Sequence, residues 1–98
     1  MRPVLHGDVV SAARALLTVP EAARVDFCTA LIRRADIADK YCRQTGQGHH
    51  MWGNGSLMAA ARVFPLPPEP GFDDDVYCNC VEMVLHALVK WRVNQKRR

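Results

Sequence analysis

No stretch of this 98-residue chain approaches the ~20 consecutive apolar residues that a bilayer-crossing helix requires. The opening Met1-Arg-Pro-Val-Leu-His-Gly-Asp8 has no apolar core of signal-peptide length, which predicts a cytoplasmic, membrane-free protein. A disulfide framework is also missing: Cys28, Cys42, Cys78 and Cys80 show no such pattern of spacings. On one helix Cys28 and Cys42 would sit about 21 Å apart, beyond disulfide reach, so reduced thiols are expected. The chain also lacks a phosphate-cradling glycine loop with a lysine, and it lacks Gly-x-Ser-x-Gly. Ser56 follows Gly-Asn-Gly, but no strand precedes it and no base accompanies it. No catalytic residue is assigned, and a non-enzymatic protein without a cofactor is predicted.

Acid is missing after Glu82, while Lys90, Arg92, Lys96, Arg97 and Arg98 carry five positive charges. The first 89 residues hold 8 basic and 10 acidic side chains, so a basic segment, 90–98, ends a slightly acidic body. Such a segment suits phosphates or another anionic partner. It equally suits a solvated helix end whose cations face the negative pole of the dipole. Overall composition, 49% apolar and 23% charged, fits one globular domain over 1–98.

Helical periodicity dominates what is present. Thr18-Val-Pro-Glu21 has the form of a capping box, with Thr18 as N-cap and Glu21 reaching back. Pro20 is tolerated in that first turn. Ala23, Phe27, Ala30, Leu31, Ala35, Ala38, Tyr41 and Cys42 then recur at steps of three and four, and Gly46 suits the left-handed stop. A helix of about 26 residues, roughly 39 Å long, is therefore the predicted scaffold. Upstream, Asp8 is a suitable N-cap for a helix of about ten residues whose apolar face is Val9, Val10, Ala13, Leu16 and Leu17. The short link between them allows a helix-turn-helix, but the second helix opens on Pro20-Glu21-Ala22-Ala23, which is acidic and small.

Gly46-Gln-Gly-His-His-Met-Trp-Gly-Asn-Gly55 packs four glycines around His49, His50, Met51 and Trp52. These four are the candidate partner-binding residues; the structural alternative is that Trp52 plugs the core. Asn54 or Ser56 then caps a short helix, 57–63. Pro65-Leu-Pro-Pro-Glu-Pro70 cannot be helical and reads as an extended surface strap. Asp73-Asp-Asp75 opens the last helix, where capping accounts for the acids without a bound cation. Its stripe is Tyr77, Val81, Val84, Leu88 and Trp91, widened by Val76, Cys80, Met83 and Ala87. An arc this broad is central in a bundle or shared with another subunit. His86 reads as a core or boundary histidine. Cys78-Asn-Cys80 with His49 and His50 nominally supplies four zinc ligands, but Cys-x-Cys within a helix splays its sulfurs, so no metal is assigned. The predicted class is all-α: a compact bundle of three to four helices with one long central helix and a proline-rich strap.

Met1-Arg-Pro-Val-Leu-His-Gly-Asp8, Ala35-Asp-x-x-x-Lys-Tyr41, Trp52-Gly-Asn-Gly-Ser-Leu-Met-Ala-Ala-Ala61 and Pro-Glu-Pro70 followed by the aspartates carry a resemblance. Over most of its length the chain resembles small uncharacterised proteins of Rhodobacterales-type alphaproteobacteria. These in turn look like the short first-gene products of gene transfer agent clusters, beside the large terminase. The resemblance implies a small-terminase role: a homo-oligomer that meets duplex DNA and a large terminase. It assigns no residue. On charge, Lys90, Arg92, Lys96, Arg97 and Arg98 are the candidate phosphate contacts, with Arg33, Arg34, Lys40 and Arg43 as an extension. The alternative is a protein-interaction adaptor using His49, His50, Met51 and Trp52 or the last helix.

Overall fold

In the computed structural model, which describes residues 1–97, four α-helices form the bundle: α1 (His6–Leu16), α2 (Arg24–Thr45), α3 (Leu57–Ala61) and α4 (Asp75–Lys96). A 3-10 turn, Glu21–Ala23, runs directly into α2 and completes the long helix the periodicity predicts. Among the described residues there is no strand, only a lone bridge between His49 and Gly53. Arg98 of the basic segment lies outside the described residues.

Helix α1 is the most enclosed element. Ala12, Ala13, Ala15 and Leu16 are fully buried, and α1 meets α2, α3 and α4. Its alanines let neighbouring backbones approach closely, so its own side chains contribute little volume. The core is completed by Cys28, Leu31 and Ile32 from α2, Leu57 and Ala61 from α3, and Tyr77, Cys80 and Val84 from α4.

Two helix starts differ from the sequence expectation. Asp8 is not the N-cap of α1; Leu5 is, and Asp8 sits three residues inside. From there Oδ2 of Asp8 accepts the Leu5 N–H at 2.9 Å, the back-reaching half of a capping box. Its other oxygen accepts the Met58 N–H at 2.8 Å. One buried carboxylate thus closes the N-termini of both α1 and α3, where helix dipoles favour negative charge. Nor does Thr18 cap the long helix with Glu21. Its hydroxyl donates backward to the Ala15 carbonyl at 2.6 Å, and Pro20 precedes the 3-10 turn without a side-chain cap. The physical reason is local: Thr18 follows immediately on the end of α1, whose last carbonyls need donors. Arg24 serves the same end, its Nε donating to the Leu16 carbonyl at 3.0 Å.

The other boundaries follow the sequence. Gly46 adopts φ 72° and its N–H returns to the Cys42 carbonyl, closing α2. Ser56 caps α3 by accepting the Ala59 N–H, and Asp74 caps α4 by accepting the Tyr77 N–H. The proline-rich strap is held by the Arg14 guanidinium on the Pro67 carbonyl, by Leu66 against the core, and by the Tyr77 hydroxyl donating to Glu69 at 3.4 Å. Burial, then the Glu69 charge, pushes the Tyr77 phenol up.

The N-terminal segment is tied across α2. The Met1 ammonium lies 2.7 Å from Asp36 and 3.2 Å from Asp39, and the Arg2 N–H donates to the Gly55 carbonyl at 3.1 Å. Gly55 has φ 97° and approaches α2 so closely that a Cβ there would lie 2.6 Å from the Asp39 Cα. Only glycine fits this contact.

Two outcomes are expected from urea unfolding. Asp8→Ala leaves two partly buried N–H groups without their carboxylate and should cost about 3 kcal/mol, at charge-assisted hydrogen-bond values. Asp8→Asn, which keeps an acceptor, should cost less. The second concerns acid. Burial alone raises the Asp36 carboxyl, but hydrogen bonds from the Met1 ammonium and Lys40 outweigh it and hold it below its ordinary 3.8. A carboxyl depressed in the folded state stabilises fully above that ordinary value and loses its contribution as pH falls through the folded one. Stability should therefore drop below about pH 4, and Asp36→Asn should flatten the drop. An unchanged pH profile in that variant would remove Asp36 from the acid response.

Candidate interaction surfaces

The predicted site residues fall on three separate surfaces. On the glycine-rich loop, His49 is the organiser: its Nδ1 accepts the N–H groups of Met51 and Trp52 at 3.1 and 3.2 Å. Its backbone exchanges two hydrogen bonds with Gly53, closing the loop on itself. The imidazole stacks on Trp52 (4.8 Å, 4°) and on His50 (4.8 Å, 15°), with Tyr41 edge-on at 5.2 Å. The Arg34 guanidinium lies over Trp52 at 5.8 Å and over Phe64 at 5.9 Å, and Phe64 meets Phe27 edge-on. A ladder of rings and one cation therefore runs from the core margin to the loop. Trp52 is half-buried on the flank of α2 and is not part of the core, so it does not act as a core plug. Met51 and His50 are exposed beside it.

The second surface is the end of α4. Lys90, Arg92, Lys96 and Arg97 are all exposed. Among the described residues none of them enters an ion pair, whereas Lys40 and Arg43 pair with Asp36 and Asp39 at 3.0 and 3.1 Å. Of the α2 cations invoked as an extension, Lys40 and Arg43 are thus neutralised in place, Arg34 lies over Trp52 and Phe64, and Arg33 is exposed. At about 100° per residue, Lys90 and Arg97 share one flank of α4 and Arg92 and Lys96 another. The four described cations of the basic segment are therefore two pairs on different sides rather than one stripe.

The third surface lies on the last helix, which the sequence offered as an interaction element, but on a stripe and groove that sequence reasoning missed. The N-terminal segment, the first turns of α1 and the outer face of α4 enclose a groove of about 790 Å³. Its walls include Val4, Leu5, Val9, Leu85, Val89 and Trp91, with Arg2, Arg92 and Lys96 at its edges. Leu85, Val89 and Val93 are 50, 61 and 42% exposed. Their spacing of four residues was the available signal, a second apolar stripe on a helix whose first stripe faces the core. A smaller cavity of about 240 Å³ on the other side of α4 takes in Cys28, Ile32, His86, Lys90 and Trp91. His86 is exposed at its rim and is not a core histidine, because it lies on the side of α4 away from Tyr77 and Val84.

The thiols are not gathered into a site. Cys78 is exposed and Cys80 buried, as two residues apart on a helix requires. Burial, and secondarily Cys80, pushes the Cys28 thiol up to about 11, and burial also raises Cys80. Both remain protonated and poorly nucleophilic at neutral pH. No group of three potential metal ligands occurs among the described residues. None of the described helices is long and apolar enough to cross a membrane.

Because Trp52 stacks outside the core, Trp52→Ala should keep a single cooperative melting transition and lose about 1–2 kcal/mol. Calorimetry checks this, and loss of cooperativity would return Trp52 to a core role.

No curated protein and no solved structure matches the chain. A family model described as "Domain of unknown function (DUF7742)" matches residues 2–88, ending just before Lys90 and the cations beyond it. The chain belongs to that family, whose matched stretch spans the N-terminal segment, the glycine-rich loop and most of α4.

Proposed function

We propose that this protein is a non-enzymatic, DNA-associated helical module, a small-terminase-like component of a DNA-packaging machine of the gene transfer agent or phage type. The observation that carries the reading is the contrast between cations. Lys40 and Arg43 of α2 are paired with aspartates, while Lys90, Arg92, Lys96 and Arg97 stand exposed at the end of α4 and enter no ion pair among the described residues. Unpaired cations on a rigid helix bind phosphates by releasing condensed counterions, without reading bases. With two pairs on two flanks, one copy touches only a few phosphates at once. Affinity is accordingly modest, sequence-independent and steeply weakened by salt. The small-terminase assignment itself rests on the resemblance of the N-terminal, Ala35–Tyr41 and Trp52–Ala61 segments. A large terminase is the protein partner it implies.

The adaptor reading is favoured by a different observation, the exposed Met51 beside the His49–Trp52 stack. That surface offers an apolar tip on a preformed loop to a protein partner.

Fluorescence anisotropy with duplex DNA at several salt concentrations separates the two. Replacing Lys90, Arg92, Lys96 and Arg97 by Gln should abolish most low-salt binding, and each single replacement should reduce the salt slope by up to about 1. Unchanged affinity in the fourfold variant would refute the DNA reading. Binding to a protein partner that survives that variant and is lost in Met51→Ala would favour the adaptor.

A further inference from the structure

We propose that the exposed apolar face of α4 is covered by α4 of a second copy of this chain, antiparallel, about a two-fold axis at Val89. Glu82, Leu85, Val89, Arg92, Val93 and Lys96 recur at steps of three and four on the face opposite Tyr77, Cys80 and Val84. That spacing is the seam of a helix pair, and its centre is apolar and exposed. The charges at its ends decide the orientation. In an antiparallel pair centred on Val89, Leu85 meets Val93 of the second copy, and Glu82 meets Lys96 of the second copy at both ends. A parallel pair would set Glu82 against Glu82 and Lys96 against Lys96, which is repulsive.

The groove beside this seam has the matching shape. It lies between α4 and the N-terminal segment, walled by Leu5 and Val9, and Leu5 is 70% exposed. In an isologous pair each α4 enters the groove of the other copy, so the same residues supply both sides. From Glu82 to Lys96 the contact runs roughly 21 Å along each helix. Lys90 and Arg97 stay on the flank, so the pairing does not depend on DNA binding and leaves cations for it.

The test is the solution mass of the full chain by sedimentation and light scattering between about 1 μM and 500 μM. Twice the 11.0 kDa chain mass is expected. Val89→Glu, at a 61% exposed position, should give monomer with unchanged helical circular dichroism. Glu82→Lys and Lys96→Glu should each weaken the dimer at least about tenfold, and the double swap should restore it to within about threefold. A monomer at every concentration overturns the proposal. So does a dimer indifferent to Val89→Glu, a double swap that fails to restore, or a monomer whose groove binds an acidic amphipathic peptide instead.

Discussion

The fold depends on a single carboxylate. Asp8 is 6% exposed and pairs with no cation among the described residues, yet it closes two helices at once: its oxygens accept N–H groups from the start of α1 and the start of α3. Two helix N-termini converging on one anion fix the angle and spacing of the elements that carry them. The other features hang on that junction. Because α3 is held there, the glycine-rich loop must end against α2, and Gly55 supplies the contact only glycine can make. Because α1 starts at His6, residues 1–5 are left to run across α2 to the Asp36 and Asp39 carboxylates, forming one wall of the groove.

Electrostatics divides the molecule into a satisfied half and an unsatisfied half. On α2, Asp36 and Asp39 each take two positive partners, one from the N-terminus and one from a residue a turn further along. Removing any member leaves a mostly buried carboxylate short of its partner. On the last turns of α4 there is no acidic side chain, and the helix dipole places its negative pole there. Charge in the first half shapes the fold, while charge in the second is free to be spent on something outside it.

Helix type and order were legible because every long element repeats its apolar residues at the helical period, and because Gly46, Ser56 and Asp74 terminate or start helices by their own chemistry. The misread positions have a common cause. Asp8, Thr18 and Glu21 have cap-type side chains, but the position at which such a side chain acts depends on which backbone groups are left needy nearby. For Asp8 one of those groups, the Met58 N–H, is fifty residues away in the chain. His86 was misplaced for a similar reason: a stripe shows which side of a helix is apolar, not where the neighbouring element stops covering it. The groove was invisible as a cavity, since it exists only where residues 1–5 fail to reach α4, although Leu85, Val89 and Val93 already marked the face it exposes.

The two tryptophans occupy unlike places. Trp52 is stacked against an imidazole and lies under a guanidinium on the loop, while Trp91 lines both cavities flanking α4. The emission of Trp52 therefore reports on the loop, and that of Trp91 on the two cavities beside α4. The chain thereby carries a native optical probe beside the groove, whose emission wavelength shifts when water leaves that surface, and a second one on the loop.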